Sequence, residues 1–205
     1  MMHTPSFYID VPGITLYDPL AEFLGAAEKG GVEYRYLDAV KLAGHSCPTV
    51  AGAWLMTRKA LASLYGNELP VRGAIEVSFR GGQADGVTGV IANVVGLLTG
   101  AAQSGGFKGI GGKFDRRNLL HFNAGITGEI RYTRLDTGIH VETTYHPEVV
   151  TPSPGMKELM QKTMMGVANA EERNSFGLLW QDRVRRILID HADDAEMIPA
   201  IISGG

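Results

Sequence analysis

The apolar positions of this chain change period several times, and each change predicts an element. Val50, Ala51, Trp54, Leu55, Leu61, Leu64 and Tyr65 recur at spacings of three, four and seven. That rhythm lays one apolar stripe along a helix, which Gly66 closes. Val71, Ile75, Val77 and Phe79 alternate with Arg72, Glu76 and Ser78, the period of a strand buried on one face. Residues 87–99 are apolar nearly all round, which predicts a buried helix ended by Gly100. Further strands are expected over 118–123, 128–135 and 139–145, the last two joined as a hairpin around Asp136-Thr137-Gly138. Helical spacing returns over 156–172 and 175–190, beyond Pro152 and Pro154.

The opening of the chain is less regular. Asp18 and Pro19 predict a capped helix start, with Leu20, Phe23, Leu24 and Ala27 as its apolar face and Gly30-Gly31 as its stop. Residues 32–40 read as an extended segment leading to a turn at Gly44. Helices and strands mix, and then strands follow one another. This order predicts an α+β fold: a mixed, largely antiparallel sheet with helices packed on it, plus C-terminal helices. Residues 1–150 are expected to form the α+β core. Residues 151–205 are expected to form a helical extension packed on that core or on a partner copy.

Composition narrows the function classes. With 44% hydrophobic and 20% charged residues among 205, a sizeable core is available and disorder is disfavoured. A net charge of -3 without a basic stripe argues against nucleic acid and anionic membranes. The longest apolar run, over 87–98, is broken by Asn93 and Gly96 and is too short for a bilayer. No signal pattern opens the chain, so a cytoplasmic location is expected. The single cysteine rules out an intramolecular disulfide and a Cys-only zinc site within one chain.

That cysteine is the chemical focus. It lies in Ala43-Gly44-His45-Ser46-Cys47-Pro48-Thr49, directly before the first predicted long helix. Pro48 suits the first helical position, so Cys47 falls at the N-cap, where free N–H groups and the helix dipole favour a thiolate. A lone cysteine is more often a small buried apolar group. Here His45 stands two residues away, and imidazole and thiolate are the usual zinc donors. The leading reading is therefore a transition-metal site, zinc first, held by His45 and Cys47 with His121 as a third candidate ligand. Asp85 heads the second apolar helix and offers a carboxylate or a cap. His140, Glu142 and His146 fall on one strand face, where a solvated surface is the simpler reading.

Glycines cluster from Gly100 to Lys113. A phosphate-loop reading fails, because Phe107 and Phe114 occupy the positions that pattern gives to Gly and to Ser or Thr. The segment reads better as a loop with left-handed turns that walls a site, with Gly109 and Gly111, beside Asp85, as candidate cofactor-binding positions. Two other readings stay open. Cys47 could be a nucleophile with His45, or His121, as its base. Alternatively, the pair could hold a haem-type cofactor or a metal in a non-enzymatic accessory protein. An unidentified small-molecule ligand fits any of these.

Gly44-His45-Ser46-Cys47-Pro48 opening an apolar helix resembles the G-H-x-C-P-G motif of the formylmethanofuran dehydrogenase FmdE family. Ala84-Asp85-Gly86-Val87 is similar to that family's D-A-[IV] stretch, and Gly106-Phe107-Lys108-Gly109 to its G-K-G segment. The resemblance covers roughly residues 18–125. Thr49 stands where the motif ends in Gly, Ala101 stands at a family cysteine, and the C-terminal four-cysteine zinc finger is missing. The resemblance implies a mixed-sheet α+β core similar to the catalytic domain of glyceraldehyde-3-phosphate dehydrogenase, and a homodimer.

Overall fold

The computed structural model describes residues 4–204. In chain order the elements are β1 (Ile14–Tyr17), α1 (Pro19–Phe23), β2 (Gly31–Tyr34), α2 (Tyr36–Ala43) and α3 (Pro48–Tyr65). Then come β3 (Ile75–Phe79), α4 (Thr88–Thr99), β4 (Leu120–His121), β5 (Ile130–Arg134) and β6 (His140–Thr143). The chain finishes with α5 (Met156–Met164), α6 (Ala170–Arg185) and β7 (Ala200–Ser203). β1 and β2 form a separate antiparallel ribbon. The main sheet has the order β4-β3-β5-β6-β7, with only the β3–β4 pair parallel. This is an α+β fold, a mixed and largely antiparallel sheet with helices packed on it.

The sheet is one-sided. Ile75, Val77, Phe79, Ile130, Tyr132 and Val141 are buried and alternate with Glu76, Ser78, Arg131, His140 and Glu142, as a half-buried sheet requires. Helices α3 and α4 lie against the sheet and against each other. Helix α3 is enclosed more fully than a single stripe predicts: twelve of its 18 residues are buried, Trp54 among them. It is the central rod of the core rather than a surface helix. No helix among the described residues is long and apolar enough to cross a membrane.

Four expectations are corrected. Residues 32–40 are not one extended segment, because β2 stops at Tyr34 and α2 begins at Tyr36. The Asp38 carboxylate accepts the Arg35 N–H at 2.8 Å, which fixes that helix start. Second, α1 is only five residues long and leaves Phe23 and Leu24 mostly exposed, so its apolar face does not reach the core. Third, helical spacing over 156–172 and 175–190 resolves into α5, α6 and a π-turn at Arg186–Asp190. Finally, segment 151–205 is not helices alone. Its β7 pairs antiparallel with β6, and Val184, Ile187, Leu188, Met197 and Ile198 join the same core as Trp54.

Asp18 joins three separate segments of the chain. Its Oδ1 accepts the N–H groups of Leu20 (2.9 Å) and Ala21 (3.2 Å), capping α1 as the sequence predicts. Its two oxygens also accept from Arg116 Nη2 at 2.8 Å and Arg72 Nη1 at 2.9 Å. Burial alone raises this carboxyl, but the two guanidinium groups and the Ala21 N–H outweigh it and hold the pKa below its usual value. A depressed folded-state pKa contributes stability above the unfolded value and loses it as pH falls through the folded one. Replacing Asp18 by Asn should therefore flatten the acid limb of the urea stability profile below about pH 4; an unchanged limb would place the acid sensitivity elsewhere. Trp54→Ala should lower unfolding stability by about 3–5 kcal/mol through the cavity it leaves, read from the same urea titrations.

Candidate functional site at the start of α3

Four residues connect α2 to α3. Gly44 takes φ 76° to end α2, a left-handed conformation that glycine adopts without strain. Cys47 is the N-cap of α3, in extended backbone at φ -151° and ψ 169°. Its side chain makes no capping hydrogen bond, and the sulfur has no hydrogen-bond partner among the described residues. The thiol is free and half-buried.

The connection is anchored from distant parts of the chain. The buried Ser46 hydroxyl is 3.0 Å from the Tyr36 hydroxyl. The Ser46 carbonyl accepts both Trp180 Nε1 and Gln181 Nε2 of α6, each at 3.1 Å. Tyr8 in turn donates to Gln181 Oε1 at 3.3 Å. On the other side the Tyr145 hydroxyl donates to the Pro48 carbonyl at 3.0 Å. Its ring lies so close to Gly52 that a Cβ there would collide with it. Burial pushes the hydroxyls of Tyr36 and Tyr145 well above the ordinary phenol value. Both phenols stay protonated near neutral pH.

His45 is exposed, and its Nδ1 donates to the Ala43 carbonyl at 2.9 Å. A carbonyl can only accept, so Nδ1 carries the proton. In the neutral ring this leaves Nε2 with the free lone pair. Metal-binding histidines are commonly oriented in this way, with the second nitrogen on a backbone carbonyl.

The other sequence candidates lie apart from this pair or have local duties. His121 sits on β4, with Nε2 3.5 Å from Glu76 Oε2 on β3. No group of three or more His, Cys, Asp or Glu residues suited to a metal occurs among the described residues. His45, Cys47 and His121 therefore do not form a three-ligand set. The exposed Asp85 accepts the Gly82 N–H at 2.7 Å and tightens the turn before α4, whose N-cap is Val87. Gly109 and Gly111 take φ 82° and 57° in a small turn where Ile110 and Lys113 exchange two backbone hydrogen bonds. Their glycine character serves the backbone of that turn. Glu142 is held by Arg131 and by the N–H groups of Thr127 and Gly128, and His146 bonds Glu148 at 3.0 Å. With Glu142 and His146 so engaged, His140, Glu142 and His146 make no second site.

One further carboxylate carries no mark in the sequence. Glu129 is half-buried on a cleft of about 180 Å³ that it shares with Arg80, Gly81, Thr88 and Ile91. Burial raises its carboxyl above the usual value, against the pull of the Tyr145 N–H and Arg80. Of the anchors around Cys47, only Gly52 leaves a readable signal. A glycine inside a helix costs about 1 kcal/mol relative to Ala and implies a packing reason.

No family model matches the chain, and no curated protein sequence matches it. The double variant Trp180→Phe, Gln181→Ala removes both donors to the Ser46 carbonyl. It should raise the rate of Cys47 modification by a thiol reagent several-fold while the far-ultraviolet spectrum stays native. An unchanged rate would mean that α6 does not restrain the thiol.

Proposed function

We propose that this chain is a transition-metal-binding protein of the FmdE kind, with zinc held by His45 and Cys47. The reading is supported by two features two residues apart in the chain: a thiol at the α3 N-cap that makes no capping hydrogen bond, and an imidazole whose Nδ1 is tied to the Ala43 carbonyl. Nitrogen and sulfur donors of this kind suit zinc. Two protein ligands leave coordination positions for solvent or a small ligand, as in an open rather than a purely structural site. Bound zinc would supply Lewis acidity at those positions. The chain itself orients the imidazole through Ala43, and Tyr145 and the Trp180–Gln181 clamp hold the backbone carbonyls on either side of Cys47.

Metal analysis by plasma mass spectrometry tests this reading on protein purified without chelator. Near-stoichiometric zinc is expected in the wild type, with loss of most of it in His45→Ala and in Cys47→Ala. A metal-free wild type would contradict the reading.

A second reading rests on the same uncommitted sulfur, with Cys47 as a nucleophile at the helix start. Alkylation separates the two. A zinc-bound thiol is protected until chelator is added, whereas a free nucleophile reacts at the same rate with or without it.

A further inference from the structure

Strand β7 is an outer strand of the main sheet, bonded to β6 on one side and to no other strand among the described residues. The direction of its free backbone groups follows from the register. The His146 N–H donates to the Met197 carbonyl at 2.8 Å, and the Thr144 N–H to the Pro199 carbonyl at 3.3 Å. Opposed residues of an antiparallel pair alternate between bonded and non-bonded positions. Ile201, opposite Glu142, and Ser203, opposite His140, are therefore the β7 residues that bond to β6. The N–H and C=O groups of Ala200 and Ile202 point off the edge of the sheet, and they have no hydrogen-bond partner among the described residues.

The side chains on this edge are as open as the backbone. Ile201 stands on the polar face of the sheet across from Glu142, and it is 63% exposed. Ile202 stands on the core face across from the fully buried Val141, yet it is 56% exposed. An outer strand is commonly protected by a lysine, a bulge or an inward charge. Ala200-Ile201-Ile202-Ser203 carries no charged residue. It offers an apolar edge with four unpaired backbone groups.

We infer that this edge pairs with a second copy of the chain, β7 against β7 in antiparallel register, about a two-fold axis through Ile201. With Ile201 opposite the partner's Ile201, Ala200 falls opposite the partner's Ile202, and Ile202 opposite the partner's Ala200. Both of these are bonded positions, so all four open backbone groups of each copy are used. Ile201 becomes a non-bonded position, where opposed side chains come closest, and each exposed isoleucine gains an apolar neighbour. A two-fold contact needs such a self-complementary patch. The two sheets join into one, with both helical layers on the same side. The contact of two four-residue strands is small, so association is weak and depends on concentration.

Sedimentation velocity of the full chain over a range of concentrations tests this, with chelator present so that a metal-bridged pair does not contribute. A monomer–dimer equilibrium is expected in the wild type. Ile201→Lys should abolish it, because two like charges then oppose each other at the axis, while the far-ultraviolet spectrum stays native. Ile201→Glu should also be monomeric, and an equimolar mixture of the two variants should dimerise again. A wild type that stays monomeric up to millimolar concentration would overturn the inference and leave the edge to a strand of another protein. Undiminished dimers of Ile201→Lys would overturn the pairing through β7. A mixture that stays monomeric would overturn the axis at Ile201.

Discussion

The burial of α3 is the constraint on which the rest of this structure depends. A helix enclosed on nearly every side must be covered by several elements at once. Here the sheet supplies one wall, through β6 and β7, while α2 and α4 supply others. Trp54, Leu55, Met56 and Leu61 fill the space between them, and close packing of this kind tolerates little displacement. The start of the helix is therefore fixed in space by the core. Cys47 inherits that fixed position as the residue where the buried rod meets the surface.

The connection before α3 would otherwise be a short exposed loop. It is instead tied at the Ser46 carbonyl by two donors from α6, and at the Pro48 carbonyl by Tyr145. These anchors lie 134, 135 and 97 residues away in sequence, so the geometry of the His45–Cys47 pair depends on completion of the whole fold. The C-terminal segment takes part twice. It supplies the clamp on Ser46, and its last strand extends the sheet beside β6. The glycine-rich segment instead makes room for Arg116, which lies against Gly100 and Gly106.

How much of this is legible in the sequence depends on which forces place each element. Helix α3 is legible to the residue, because Pro48 and Gly66 mark its ends and no distant contact is needed to read them. Strands β3, β5 and β6 are legible through their alternation. Strand β7 is not, since Ala200-Ile201-Ile202-Ser203 carries no alternation and owes its form to pairing with β6. Helix α2 is obscured by the strand-like run before it, although Tyr36, Ala39 and Val40 have helical spacing. At the candidate site, His45 and Cys47 stand out because they are close together in the chain. Trp180, Gln181 and Tyr145 carry no local mark, because only the tertiary fold brings them there. His121 stands out through its chemistry alone, and the fold gives it to Glu76.

X-ray absorption at the zinc edge, on protein loaded with one equivalent of zinc, tests the proposed His45–Cys47 pairing most directly. The predicted shell has one sulfur at about 2.3 Å, with the remaining scatterers nitrogen or oxygen at about 2.0–2.2 Å. A shell of nitrogen and oxygen alone would contradict the pairing, because the thiol at the head of α3 would then hold no metal.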